Sequence, residues 1–289
     1  MSGLVSIIMP SFNTAPYIAE SIRSVMAQTY TDWELIIVDD ASTDNTDEIV
    51  AKFTELAEVN SNDCRSERIH YLKNDRNRGA AYSRNRALRK AKGKYIAFLD
   101  SDDLWAPDKL EKQIAFMTKN GYAFSYTCYE EMGEDGKPTG TIVGGPKHIT
   151  KTGMFNYCWP GCLTVMYDRE VVGDIQIAEI QKNNDYAMWL KICRKADCYL
   201  LDENLATYRK RTGSITHAQR HCEEPQGRAC HERSVVVAIQ CNLKSKFSMI
   251  QWHYKLYREA EGMNPVASLF NTGRNLFFGV WKKIKYVKR

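Results

Sequence analysis

The chain has no apolar run approaching the roughly 20 residues that a membrane-spanning helix needs. Its opening, Met-Ser-Gly-Leu-Val-Ser-Ile-Ile-Met-Pro, lacks the basic start and long apolar stretch of a secretory leader, and reads as a first strand. Nine cysteines are present, but no Cys-x-x-Cys pair. His221-Cys222 and Cys230-His231 flank a short loop with a spacing that fits no common zinc site. Without a leader, the thiols are expected to be reduced in a cytoplasmic protein. Glycine is missing from Pro10-Ser-Phe-Asn-Thr-Ala, directly after the first strand. That excludes the Gly-x-Gly-x-x-Gly turn of a dinucleotide-dependent oxidoreductase and speaks against a glycine-rich phosphate loop. Acid is missing from one region: Met263 to Arg289 holds six cations and no carboxylate. Those six account for the whole net charge of +5, so the main body is not basic and no nucleic-acid partner is expected.

What is present is an ordinary globular composition, 44% hydrophobic and 26% charged, in 289 residues. That length suits one large or two modest domains. Leu4 to Met9, Glu34 to Val38, Arg68 to Leu72 and Tyr95 to Leu99 read as buried strands. Between them, helical stripes begin near Pro16, Ser42 and Gly79, and a further helix runs from Pro107 to Lys119. Strands alternating with helices predict an α/β fold with a parallel sheet and right-handed crossovers.

Two of these strands end in acid: Asp39-Asp40, and Asp100, Asp102 and Asp103. Strand interiors disfavour Asp, and unpaired charge is rarely buried. Open α/β sheets bind ligands outside the C-terminal strand ends, so Asp39, Asp40, Asp100 and Asp102 are expected to face one crevice. Oxygen ligands there suit Mg²⁺ or Mn²⁺ carrying a phosphate. The plain alternative is helix capping, with Asp103 capping the helix that follows.

After Gly121 the texture changes. Tyr122 to Tyr129, Thr139 to Val143, Cys162 to Tyr167 and Tyr199 to Tyr208 read as further strands. A helix spans Asn183 to Cys193, with Asp185 in its first turn, where capping again is the plain alternative. Arg209-Lys-Arg211 forms a basic turn placed to bond a diphosphate. Residues 276–289 mix aromatics, aliphatics and lysines, the recipe for a helix on an anionic membrane surface or for an ordinary docking helix.

Four motifs in fixed order carry a resemblance: Val5-Ser-Ile-Ile-Met-Pro-Ser-Phe-Asn13, Ile37-Val-Asp-Asp-Ala-Ser-Thr-Asp44, Gly79 with Ser83-Arg-Asn85, and Phe98-Leu-Asp-Ser-Asp-Asp103. With Asn184-Asp185-Tyr-Ala-Met-Trp-Leu and Tyr208-Arg-Lys-Arg-Thr-Gly-Ser214, they resemble the inverting family-2 glycosyltransferases. The terminal region is similar to members that build teichuronic acid, capsule or other surface polysaccharides.

The resemblance implies a GT-A fold, with a Rossmann-like half on a mixed, mainly parallel sheet and an acceptor half with additional strands. It places a glycosyltransferase domain over residues 1–217, divided into a nucleotide-sugar half (1–120) and an acceptor half (121–217). A helical, basic extension (218–289) would associate with the membrane. Pro10, Phe12 and Asn13 would frame the base of a UDP-sugar, Asp39 and Asp40 would contact uracil and ribose, and Arg84 would stand nearby. Asp100 would reach the ribose or sugar. Asp102 would hold the metal, with Asp100 and His217 as further candidate ligands. Asp185 would be the catalytic base, and a lone base predicts inversion by a single displacement. Asn184 replaces the family's usual Glu, which bears on acceptor contacts. The acceptor would be a lipid-linked or growing surface glycan at the inner face of the cell membrane. Rival readings are a sugar nucleotidyltransferase and a catalytically silent scaffold at the membrane.

Overall fold

The computed structural model describes residues 3–59, 68–180, 182–211 and 248–288. Its centre is strand β1 (Val5–Ser11), which has parallel neighbours on both edges. On one side lie β2 (Trp33–Asp39) and then β3 (Ile69–Lys73); on the other lies β4 (Tyr95–Phe98). Helices α1 (Ile18–Met26), α2 (Thr46–Val59) and α3 (Ala80–Lys90) supply the crossovers that parallel strands require. Both β1 and β2 are buried on both faces, as their near-continuous apolar runs predict. The period-two alternation sorts β1 between two layers. Val5, Ile7 and Met9 join Ile18, Ile22 and Val25 of α1, while Ile8 joins Ala87 and Leu88 of α3.

Helix α1 starts two residues after Pro16. The Thr14 carbonyl accepts the amides of both Tyr17 and Ile18, which makes Pro16-Tyr17 a turn leading into the helix.

Beyond β4 the sheet is mixed. Following β5 (Leu104–Trp105) and α4 (Lys109–Asn120) come β6 (Phe124–Met132), β7 (Pro138–Val143) and β8 (His148–Ile149). After α5 (Lys151–Asn156), β9 (Met166–Asp168) inserts between β4 and β6, antiparallel to both. Helices α6 (Arg169–Val172) and α7 (Asn184–Cys193) precede β10 (Cys198–Arg209), which runs parallel to β6 and pairs with β5 and β8. β11 (Val287–Lys288) pairs with the outer edge of β7, completing eleven strands among the described residues.

The strand expected over Cys162 to Tyr167 begins instead as a 3₁₀ turn, Cys162–Thr164. Side chains claim the carbonyls that a strand would offer to a neighbour. Trp105 Nε1 donates to Leu163 O at 2.8 Å and Gln113 Nε2 to Thr164 O at 3.1 Å.

At the opposite end of β1 from the acidic motifs, a buried polar knot joins Ser6, Glu34 and the turn before β4. Ser6 Oγ donates to Glu34 Oε1 at 2.5 Å and receives the Gly93 amide at 2.7 Å. A Cβ on Gly93 would lie 2.5 Å from the Ser6 nitrogen and 2.6 Å from the Leu4 oxygen, both main-chain atoms. Gly93→Ala should therefore destabilise the fold by about 1–3 kcal/mol, the scale of core overpacking. Urea melts of the two proteins measure it, and equal midpoints would show that the turn yields freely.

Residues 248–255 are helical and run into a π-turn, Leu256–Ala260. Leu256 and Tyr257 are buried in the core that also holds α7. A 21-residue helix, Pro265–Lys285, follows, here the C-terminal helix. Pro265 opens it, and Asn264 caps it by accepting the Ala267 amide at 2.9 Å. Among the described residues no helix is long and apolar enough to cross a membrane.

Candidate active site

The strand order reverses around β1, with β2 and β3 to one side and β4 to the other. At such a point the loops leave in opposite directions, and a crevice opens outside the C-terminal strand ends. Here it is a cleft of about 900 Å³. Pro10 at the end of β1 and Phe12 and Asn13 just past it line it, with Asp40 after β2 and residues 78–84 at the start of α3. Asp100 and Asp102 line it after β4, joined by Arg211 from the end of β10 and by Asn184 at the start of α7.

The β1 and β2 loops are tied together at the floor. Asn13, at φ 50°, donates its amide to Ser42 Oγ at 2.9 Å and accepts the Thr43 amide on Oδ1 at 2.9 Å. Asn tolerates this left-handed geometry better than most residues. Asp39 is fully buried, does not line the cleft, and closes on its own turn, accepting the Ser42 amide at 2.9 Å and the Ser42 hydroxyl. Burial raises its carboxyl above the ordinary range, and the two Ser42 bonds oppose that rise. Asp40 does line the cleft. It accepts Asn74 Nδ2 at 2.7 Å, the Arg78 amide at 2.9 Å and the Gly79 amide at 2.6 Å, which fixes the loop that leads into α3.

At the end of β4, three carboxylates crowd within four residues. Asp100, partly exposed, receives Arg84 Nη2 at 2.5 Å. Asp102 receives Arg211 Nε at 2.6 Å. Asp103 is buried and accepts the Arg209 amide at 2.9 Å, so it joins β4 to β10. It is not a helix cap, since α4 begins after Asp108. Burial first, and then the Asp100 charge, raises the Asp102 carboxyl. Burial followed by repulsion from Asp102 and Asp100 raises Asp103 well above its usual range.

A dication would relieve that repulsion, and the donor set fits one. Mg²⁺ is commonly held by one or two carboxylates plus substrate phosphates, and Asp102 and Asp100 both reach the cleft. Among the described residues no three His, Cys, Asp or Glu side chains converge, so water and phosphate oxygens would complete the shell. His217 lies outside the described residues.

The two arginines expected at a diphosphate part company. Arg211 faces the cleft. Arg209 is buried and turned towards α1, with Nη2 on Glu20 Oε2 at 2.6 Å and Nε on the Asp102 carbonyl at 3.0 Å. Its guanidinium lies 4.9 Å over the Tyr17 ring. Glu20, remote in sequence, explains the turn away from the cleft.

Asp185 sits partly buried in the first turn of α7, next to the cleft-lining Asn184, and accepts the Tyr186 amide at 2.8 Å. The helix N-cap is Asn183, in a left-handed conformation (φ 58°). Burial raises the Asp185 carboxyl and the Asp100 charge adds to this, while the Arg84 guanidinium opposes it. Arg84, itself buried, links the two sides by donating Nη1 to Asn184 Oδ1 at 3.0 Å and Nη2 to Asp100. Burial disfavours its charge, yet Asp100 and Asp185 more than offset this and keep it firmly protonated.

Sequence reasoning missed Asn74 and the bridging role of Asn184. Asn74 had a signal, because it follows β3 where Asp40 follows β2, one step past the paired Asp39 and Lys73.

Three comparisons bear on this geometry. The family described as Glycosyl transferase family 2 matches residues 6–164. A Bacillus subtilis (strain 168) protein named as a teichuronic acid biosynthesis glycosyltransferase, TuaG, is 43% identical over 214 residues, covering 74% of this chain and 81% of its own. The Escherichia coli protein named UDP-Glc:alpha-D-GlcNAc-diphosphoundecaprenol beta-1,3-glucosyltransferase WfgD is 42% identical over 194 residues, covering 66% of this chain and 70% of its own. Among solved structures, S. aureus TarS 1-349 in complex with UDP-GlcNAc superposes with a TM-score of 0.62 at 20% identity, over 94% of this chain and 71% of that one. At that identity the likeness is one of fold, and the fold is the GT-A fold.

Proposed function

This chain belongs to glycosyl transferase family 2, and from that premise we propose that it moves a sugar from a UDP-sugar to a hydroxyl of a lipid-linked or growing surface glycan. The observation that carries the reading is the two-sided cleft. Asp100, Asp102 and Arg211 gather on one side, Asn184 with its neighbour Asp185 stands on the other, and Arg84 spans the two. A relative named for a UDP-glucose donor and a diphosphoundecaprenol-linked acceptor supports the substrate classes.

In this reading Pro10, Phe12 and Asn13 hold the base, and Asp40, braced from behind by the Asp39 turn, meets the ribose. Asp102, with Asp100, would hold Mn²⁺ or Mg²⁺, whose Lewis acidity would offset charge on the departing diphosphate. Arg211 exchanges its bond to Asp102 for diphosphate oxygens, a charge-assisted contact. Arg209 keeps the β10 end in place from the rear. Asp185 accepts the proton of the attacking acceptor hydroxyl, and burial suits it by bringing its carboxyl nearer the working pH. A single base with no protein nucleophile predicts inversion. Residues 1–217 would form the catalytic domain, and the 218–289 extension would hold it on the inner face of the cell membrane.

Calorimetry of UDP binding, with and without Mn²⁺, tests the donor side. Wild type should bind at least tenfold more tightly with the metal, and Asp102→Ala should lose that gain. Equal metal-independent binding in both proteins would remove Asp102 from the site.

A further inference from the structure

The C-terminal helix is amphipathic in the reverse sense to a packed surface helix. Ser268, Asn271, Thr272, Asn275 and Lys282 are buried against the body. Leu269, Phe270, Phe277, Val280, Trp281 and Ile284 face outward, 43–76% exposed. Of the buried set, Ser268, Asn271 and Thr272 satisfy themselves on carbonyls one turn back. Only Asn275 and Lys282 reach across.

They reach the machinery around Asp185. Asn275 Nδ2 donates to the hydroxyls of Tyr186 and Tyr257, at 3.2 and 3.4 Å. Tyr186 donates its own proton to the Met154 carbonyl at 2.8 Å, and Tyr257 donates to Phe155 O at 3.2 Å, so both present lone pairs to Asn275. The Tyr186 amide in turn holds the Asp185 carboxylate. Lys282 Nζ donates to the Trp159 carbonyl at 2.7 Å, next to Cys158, which lies within electrostatic reach of Asp185. Close approach depends on Gly279, where a Cβ would stand 3.0 Å from the Tyr157 ring. Both ends of the helix are moored, by the Arg194–Glu261 ion pair before it and by β11 after it.

We propose that this helix lies with its apolar stripe in an anionic lipid surface while Asn275 and Lys282 act as positioning residues, holding Tyr186 and the 157–161 loop so that Asp185 meets an acceptor delivered from that surface. The inference rests on the glycosyltransferase reading for its second half only. Charge selects the occupant. Arg274, Lys283 and Lys285 stand on the same helix as the stripe, Lys288 follows in β11, and the segment from Met263 onward carries no acid. Lys285 Nζ sits 5.6 Å over the Trp281 ring, an aromatic–cation pairing suited to a headgroup layer. A second copy would bring cation against cation with no acid to meet it.

The test uses the full chain, vesicles of phosphatidylcholine with about one-third phosphatidylglycerol, a composition anionic enough to attract polybasic segments, and UDP-glucose hydrolysis as the turnover probe. Phe277→Glu with Ile284→Glu should cut vesicle partition at least tenfold and leave hydrolysis in solution within twofold of wild type. Asn275→Asp, isosteric but facing two lone pairs with a third acceptor, should keep vesicle partition and donor KM while kcat falls at least tenfold. Lys282→Met should repeat that split, which covers a folding failure of Asn275→Asp. Unchanged vesicle partition in the double variant, or a change in oligomeric mass instead, would overturn the lipid assignment. Unchanged kcat in both inner-face variants would overturn the positioning role. Wild-type hydrolysis without vesicle binding would sink the lipid surface alone, and vesicle binding without UDP binding would sink the glycosyltransferase reading alone.

Discussion

Replacing Asp185 by Asn should lower kcat by about 10²- to 10⁴-fold, the range that a positioned general base supplies. UDP affinity should stay within twofold, because Asp185 stands on α7, apart from the β4 cluster, and its bond is to the Tyr186 amide. The pH profile separates a lost base from a disturbed fold. A base works deprotonated, and burial raises this carboxyl above its ordinary range. In wild type the rate should therefore fall as pH drops through a value above the usual ~3.9 of an aspartate. That acid limb should vanish from the residual rate of the variant. A variant that turns over at the wild-type rate would take Asp185 out of the chemistry.

The second large effect concerns stability. Lys109 is fully buried in α4, with Nζ on Gln113 Oε1 at 2.7 Å and 4.2 Å above the Trp105 ring. Burial pulls its ammonium down to about 7. An unfolded lysine titrates near 10.4, so between the two values the unfolded chain binds the extra proton. Stability should then rise with pH across that window, by up to about 1.4 kcal/mol per pH unit. Below pH 7 both states are charged and the whole penalty stands. Lys282, buried and lowered to about 8, adds a rise of the same sign over the upper part of the window. Lys109→Met should gain stability on the order of a few kcal/mol at pH 6, as expected for removing a buried charge, and most of the rise should disappear. Urea melts at pH 6 and pH 9 measure both. A difference between the two proteins that is the same at both pH values would show the ammonium to be solvated; the buried thiols, which burial pushes up and which act in the opposite sense as pH rises, are common to both.

The sequence carried the strand ends well, because a buried apolar run stopping at a carboxylate leaves few other arrangements. It carried less about what each carboxylate does there. Asp39 and Asp40 are adjacent letters, yet the first closes on Ser42 and the second anchors the Arg78 and Gly79 amides. Asp103 resembled a cap because caps and strand ends draw on the same residues, and only the distant Arg209 amide decides between them. Arg209 and Arg211 are equivalent in sequence until Glu20 claims one. The mix of aromatics, aliphatics and lysines likewise marked the end of the chain as a surface or docking helix but not which of its faces meets the body. A repeat near 3.6 defines two faces without saying which one meets the body. The polar partners Tyr186, Tyr257 and Trp159 settle that.

The pairing of β11 with β7 also sets a timetable. During synthesis, chains begin to fold from the N-terminal side. β7 can form its hairpin with β6 early, but its outer edge stays open until the ribosome has passed Lys288. An open edge is a template for strands of other molecules. The nascent protein therefore spends the whole translation of its C-terminal half with one sheet margin unguarded, and the two-residue strand that guards it arrives with the C-terminal helix.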